Sequence, residues 1–212
     1  MDNSDPMVVL ENVTKRFKKA TVLDHVSVAF PRGQIHGIIG RNGSGKTVML
    51  KLICGFLPAD EGVVRVNGEP VYCQKPQLNT GAIIEEPGFI PGISGLKNLQ
   101  MLASLKSDLT RDDLRKVMLR VGLDPENRKA VGKYSMGMRQ RLGIAQAIME
   151  KPSLLLLDEP MNGLDNQGVE DIRRLLIELR EGGTTILLAS HSREDIQILC
   201  DSVHELDRGR LC

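Results

Sequence analysis

Neither sign of charge dominates this sequence: 28 lysines and arginines stand against 27 aspartates and glutamates, a formal net charge of +1. There is no overall basic field to draw in a nucleic-acid backbone, and no nucleic-acid partner is expected. Cysteine is sparse. Cys54, Cys73, Cys200 and Cys212 lie far apart without a C-x-x-C pair, which argues against a zinc knuckle or a disulfide framework and suits free thiols in a reducing compartment. Long apolar runs are missing too. Ser153–Leu157 and Thr185–Ala189 fall far short of the ~20 residues that span a bilayer, so work at a membrane would need another chain to do the spanning. The polar, acidic Met1–Pro6 carries no signal-peptide pattern. No internal repeat, low-complexity tract or Pro/Gly-rich linker divides the chain. What remains is ordinary in bulk: 212 residues, 41% hydrophobic and 26% charged, enough for one domain with a sizeable core.

Along the chain the periodicity changes. Val8–Val13 and Val22–Phe30 alternate apolar and polar residues with β-branched enrichment, as half-buried strands do. Val63–Val66 continues that style into Asn67-Gly68, a strong turn signal, so these pieces are expected to form one small antiparallel sheet. Ile35–Ile39 is a short apolar run ending at Gly40, with a helical pattern from about Lys46. Leu154–Leu157 and Thr185–Ala189 are continuous apolar runs of buried-strand length, with the helical Val169–Glu181 between them. Strand, helix, strand of this kind predicts a crossover and a parallel sheet. From about Ser94 to Glu150 the pattern is mostly helical, with Leu96, Leu99 and Leu102 on one face and Met118, Leu119 and Val121 as another apolar cluster.

Gly40-Arg41-Asn42-Gly43-Ser44-Gly45-Lys46-Thr47 fits G-x-x-x-x-G-K-[ST] between an expected strand and an expected helix. Glycines there let successive backbone N–H groups turn inward around phosphate oxygens, and the helix N-terminus adds partial positive charge. Lys46 can reach the β- and γ-phosphates of ATP, and the Thr47 hydroxyl can ligate Mg²⁺. Leu154–Leu157 ends in Asp158-Glu159. Ligands bind beyond the carboxyl ends of buried parallel strands, so Asp158 is expected to face the loop and hold Mg²⁺. Glu159 is then placed to orient or deprotonate the attacking water.

Three further segments make the resemblance specific. Tyr134-Ser135-Met136-Gly137-Met138-Arg139-Gln140-Arg141 is similar to the signature motif of ABC (ATP-binding cassette) transporters, usually Leu-Ser-Gly-Gly-Gln followed by a basic helix. Asn162-Gly163-Leu164-Asp165 resembles the D-loop of that family, and Ser190-His191 its switch histidine. The motifs stand in the family's order from Gly40 to His191. The resemblance implies an α/β fold: a P-loop NTPase core with a mainly parallel sheet, a small N-terminal antiparallel β subdomain (about residues 7–34 and 60–73) and an inserted α-helical subdomain (about 88–150). All of it would form a single ATP-binding domain over residues 1–212. It also implies a second ATP-binding subunit, identical or different, with two ATP molecules between the pair. Ser135 and the N–H groups near Gly137, at a helix N-terminus, would then meet the partner's γ-phosphate. His191 would contact the γ-phosphate, whereas His25, His36 and His204 read as surface or satisfied core residues. Phe17 matches the family's adenine-stacking aromatic, with a core phenylalanine as the competing reading.

The chain departs from the family pattern at three positions. Aligned by strand and proline, Gly81-Ala82-Ile83-Ile84-Glu85-Glu86-Pro87 puts Glu85 where a glutamine usually touches Mg²⁺ and water, making Glu85 a candidate metal ligand. Met136 replaces the first signature glycine and Met138 the glutamine. Glu-Glu-Pro-Gly-Phe and Tyr-Ser-x-Gly-Met are similar to bacterial exporters of peptide antibiotics of the bacitracin-resistance type. The resemblance therefore implies an ATPase, peripheral on the cytoplasmic face of the membrane, that powers a separate permease exporting a hydrophobic or peptide-like compound. Two other readings stand beside it: a soluble ABC-type ATPase acting on nucleic acid or ribosomes, and a regulatory ATP-binding module with little hydrolysis. Phe89, Ile90 and Ile93 are expected either to dock the permease as an exposed patch or to pack inside the insertion.

Overall fold

The computed structural model describes residues 5–18, 20–73, 79–106 and 108–212, so Met1–Ser4 of the polar N-terminal stretch lie outside the described residues. β1 (Val8–Phe17) and β2 (Ala20–Phe30) lead into β3 (Ile35–Ile39) and α1 (Lys46–Ile53). β4 (Glu61–Val66), β5 (Glu69–Pro70) and β6 (Thr80–Ile83) follow, then α2 (Gly95–Lys106), α3 (Arg111–Arg120) and α4 (Met136–Ile148). The chain continues through β7 (Leu154–Asp158), α5 (Asn166–Glu181), β8 (Thr185–Ala189), α6 (Arg193–Leu199), β9 (Ser202–Asp207) and β10 (Arg210–Leu211).

The early strands form the expected antiparallel sheet, in the order β2-β1-β4-β5. Asn67 and Gly68 turn the β4–β5 hairpin with φ of 54° and 79°, the left-handed pair that matches strand twist. In β1 the buried side changes parity, from Val8 and Leu10 to Val13. An irregularity in the pairing between Leu10 and Val13, with Asn12 at φ 50°, absorbs the extra residue and keeps all three in the core.

The second sheet has the order β10-β9-β3-β8-β7-β6, and every pairing in it is parallel except β9 with β10. β3, β7 and β8 are buried almost throughout, which is why they read as unbroken apolar runs. Alternate residues feed two cores. Leu155, Leu157, Ile186 and Leu188 pack toward the helices α2–α5, while Leu154, Leu156, Leu187 and Ala189 pack toward α1 and the antiparallel sheet. Each strand is thus clamped from both faces, and its carboxyl end is held in place for chemistry.

In the helical segment Leu96 and Leu99 are buried and Leu102 is partly so, as the spacing predicts. Thr110 and Asp113 close a capping box at the start of α3. Leu119 is a correction: it is 62% exposed, while Met118 and Val121 are buried. Residues 118 and 121 lie three apart on one helical face, and 119 points away from it. The Phe89–Ile93 segment divides between its two expectations, with Phe89 partly buried against the helical core, Ile93 half-buried and Ile90 exposed. The cysteines are free thiols. His36 is a satisfied core residue, its ring nitrogens within 2.7 Å of Ser202 Oγ and 2.8 Å of the Pro31 carbonyl, while His25 is exposed beside Asp24.

Candidate active site

β3 ends at the phosphate loop, β7 at Asp158, and β8 at Ser190-His191, so three buried parallel strands aim their carboxyl ends at one place. The loop's backbone is built for glycine. Gly40, Gly43 and Gly45 take φ of 153°, 81° and 112°, and a β-carbon on Gly40 would lie 2.3 Å from the Leu206 carbonyl oxygen. Gly45 caps α1 without any side-chain hydrogen bond, which leaves the first helical N–H groups available to an anion. Ser44 Oγ is buried and has no partner among the described residues, an orphan that a phosphate oxygen would satisfy. Lys46, largely buried, curls back so that Nζ donates to the Gly40 carbonyl at 2.8 Å and the Arg41 carbonyl at 3.4 Å.

Thr47 Oγ1 donates to Asp158 Oδ2 at 2.6 Å, joining the helix after the loop to the end of β7. Burial pushes the Asp158 carboxyl above the usual carboxylate range, and the nearby charges of Glu159 and Glu85 add to the rise. The Thr47 hydrogen bond and the Lys46 charge oppose it. A hydroxyl and a carboxylate whose ionised form is disfavoured suit a hard cation such as Mg²⁺. Among the described residues no three His, Cys, Asp or Glu side chains converge, so phosphate and water would supply most of the ligands of any cation there.

Glu159 follows with φ 49°, its N–H donating to the Ala189 carbonyl at 2.9 Å. This left-handed turn carries Glu159 Oε2 to within 2.8 Å of His191 Nδ1, so two residues 32 positions apart become neighbours. Behind them, Ser192 caps α6 and the buried Arg173–Asp195 ion pair, at 2.6 Å, ties α6 to α5. Together the loop and the acids open a cavity of about 690 Å³, lined by residues 42–48 with Val22, Glu85, Glu86, Met136, Gln140, Asp158, Glu159 and Asn162.

The other expected residues stand at or beyond its edge. Glu85, at φ 66°, is on the rim with its carboxylate 2.6 Å from Lys51 Nζ. Phe17 is 42% exposed at the end of β1, with Lys15 Nζ 5.4 Å from the ring centroid, so it is not a core residue. It is not among the lining residues, nor are Gly40, Arg41, Ser135, Gly137 and His191. Ser135 is the N-cap of α4, its Oγ accepting from the Met138 N–H at 3.2 Å. Gly137 packs on the D-loop: a β-carbon there would lie 2.8 Å from the Gly163 carbonyl oxygen.

Sequence reasoning missed Gln140. Its Nε2 donates to the Pro160 carbonyl at 3.1 Å, and it faces the cavity with Met136. The available signal was helical spacing, since residues 136 and 140 share one face. Lys51, one turn beyond Thr47, was missed as well, because nothing local marks it as the partner of Glu85.

The parallel sheet, the glycine-built loop and the acids at the end of β7 define a nucleotide-binding P-loop protein. Residues 23–162 match the ABC transporter family, and the chain belongs to that family. It is 42% identical over 207 residues to the uncharacterized ABC transporter ATP-binding protein YybJ of Bacillus subtilis (strain 168), covering 97% of this chain and 94% of that one. The bacitracin transport ATP-binding protein BcrA of Enterococcus faecalis is 40% identical over 211 residues, covering 97% and 68%. The dimeric post-hydrolysis ATP-binding cassette MJ0796 bound to ADP and Pi superposes with a TM-score of 0.88 over 97% of this chain and 96% of that one, at 24% identity, a likeness of fold. The chain is accordingly an ATP-binding subunit and an ATPase whose hydrolysis powers transport by a separate membrane permease. This sets aside both the nucleic-acid reading and the regulatory module. Among the described residues no helix is long and apolar enough to cross a membrane.

Proposed function

We propose that this chain drives export of a hydrophobic or peptide-like compound, such as a peptide antibiotic, as one of two cassettes seated on a permease at the cytoplasmic face of the cell membrane. The similarity to a bacitracin transport protein supports the substrate class. The whole chain acts as one ATP-binding domain, with residues 88–150 as the helical insertion.

The observation that carries the mechanism is the Glu159–His191 contact at 2.8 Å beside the Thr47–Asp158 hydrogen bond at 2.6 Å. The phosphate-loop N–H groups and the Ser44 hydroxyl hold the β- and γ-phosphates, and Lys46 exchanges its loop carbonyls for phosphate oxygens. Thr47 and Asp158 would hold Mg²⁺, with Glu85 reaching in from the rim after leaving Lys51. The ion, when bound, neutralises charge on the β- and γ-phosphates. Glu159 orients the attacking water and accepts its proton. His191 contacts the γ-phosphate through its other ring nitrogen, oriented by Glu159. Phe17 stacks on adenine from the open end of β1. Ser135 and the N–H groups near Gly137 complete the partner's site.

Glu159→Gln tests this. It should bind ATP as wild type does, lower hydrolysis by ~10² or more because a carboxamide cannot accept the proton, and accumulate as an ATP-dependent dimer on size-exclusion chromatography. Hydrolysis at the wild-type rate in that variant removes Glu159 from the role.

A further inference from the structure

Met136 puts a long side chain where the signature motif that this segment resembles has its first glycine. That side chain has gone onto the D-loop. A β-carbon on Gly163 would lie 2.5 Å from Met136 Cγ, 2.8 Å from Sδ and 3.1 Å from Cε, so the thioether occupies the space that any other residue at 163 would need. Gly163 takes φ 76°, a conformation that favours glycine and turns its open side toward α4. Next to this contact, Gly137 abuts the Gly163 carbonyl oxygen. One helical turn on, Gln140 Nε2 donates to the Pro160 carbonyl at 3.1 Å. The D-loop leads straight back to the acid, since the Asn162 N–H donates to the Glu159 carbonyl at 3.2 Å. Met136 is also 55% exposed and lines the cavity, so it joins the D-loop to the nucleotide site from the open side.

We infer that Met136 is a positioning residue for hydrolysis: with Gly163 as its matched seat, it latches the first turn of α4 to the loop that carries Glu159, so that the two move as one piece. This rests on the reading above, in which Ser135 and Gly137 meet the partner's nucleotide and Glu159 handles the water. A γ-phosphate bound at the α4 N-terminus would then set the position of this subunit's own Glu159. The thioether suits the task because it is unbranched and polarisable and fills an irregular gap over bare backbone. The latch acts on the chemical step and leaves the phosphate loop's own grip on nucleotide alone.

The test is a double-mutant cycle in the full chain, reading kcat and KM for ATP, nucleotide affinity by fluorescent-analogue titration, and melting temperature. Met136→Ala removes the three atoms that a β-carbon on residue 163 would meet, while keeping a good helix former. The latch predicts that Met136→Ala lowers kcat several-fold, and that Gly163→Ala lowers it by ~10-fold or more by displacing the thioether. Combining them should cost clearly less than the product of the two single losses, the remainder being the strain of a β-carbon at φ 76°, with kcat affected more than KM or nucleotide affinity. An equal factor lost to Gly163→Ala in both backgrounds overturns the proposal, and so does a higher kcat in Met136→Ala, which would make the thioether a mere obstruction. Should Gly163→Ala fail to fold, Met136→Leu, which keeps γ and δ carbons, must retain the kcat that Met136→Ala loses; equal rates in the two overturn the latch. A wild-type rate in Glu159→Gln would instead strike the role of Glu159, while the cycle would still report whether Met136 and Gly163 are coupled.

Discussion

The floor and the rim of the cavity are held in different ways. On the floor, Asp158 and Glu159 stand at the end of β7, and Lys46 and Thr47 open α1 behind the loop that leaves β3, two strands that the cores on both faces leave no freedom to shift. On the rim, Glu85 and Met136 come from a loop and from the first turn of a helix, and single side-chain contacts fix them: Glu85 on Lys51, and Met136 on Gly163. Glu85 and Met136, two of the three positions at which the sequence departs from the motifs it resembles, both stand on the rim. Where buried backbone delivers a group, the chemistry dictates its identity. Where a side-chain partner delivers it, residue and partner can change together.

The sharpest way to break the comparison is at the floor. Lys46→Ala should weaken MgATP binding about a hundredfold or more, the loss of two charge-assisted hydrogen bonds worth ~3 kcal/mol together. Nucleotide titration reads it directly, and unchanged affinity would mean that the loop does not grip phosphate through Lys46.

A smaller effect, with a sign that depends on pH, is expected at Asp158. Burial raises its folded-state pKa, so in the window between the unfolded and folded values the native protein binds more protons and stability falls as pH rises. Asp158→Asn removes that penalty and keeps an oxygen for the Thr47 hydroxyl. Nucleotide-free Asp158→Asn should melt roughly 2–4 °C above wild type at neutral pH, with the gain fading as the pH falls through the raised folded pKa toward the usual carboxylate value. Its Mg²⁺-dependent turnover should drop. A lower melting temperature at neutral pH would mean that Asp158 is a net stabilising charge.

The smallest effect belongs to the rim. If Glu85 reaches the cation as proposed, Glu85→Gln would replace a charged ligand with a neutral carbonyl oxygen, and the ion pair it gives up to Lys51 is exposed and worth little, about 0–1 kcal/mol. ATPase activity across a Mg²⁺ titration at saturating ATP should show the midpoint moved to higher Mg²⁺ by a factor of a few, in keeping with one weakened ligand. Superimposable curves would leave Glu85 as a partner of Lys51 alone.

Legibility followed the same division. The phosphate loop could be read because its work is done by eight consecutive residues and their backbone. Asp158 and Glu159 could be read because a doubly buried strand announces itself as Leu154–Leu157 and ends where ligands bind. Leu119 misled because the buried side of α3 runs through Leu114, Met118 and Val121, and residue 119, about 100° further round, falls outside it. Gln140 and Lys51 escaped because their partners, Pro160 and Glu85, lie 20 and 34 positions away, with no pattern linking them.

By itself the sequence determined the strand and helix periods, the antiparallel and parallel parts of the fold, and the phosphate-binding chemistry. Each of these depends on residues within a few positions of one another, where hydrophobic alternation and glycine's conformational freedom act locally. Only the tertiary structure decided that His191 meets Glu159, that Lys51 engages Glu85 and that Met136 rests on Gly163. Those pairings join distant segments through side chains a few ångströms long. They exist because the packing of β3, β7 and β8 sets where each segment ends, and a shift of about one side-chain bond in that packing would undo them.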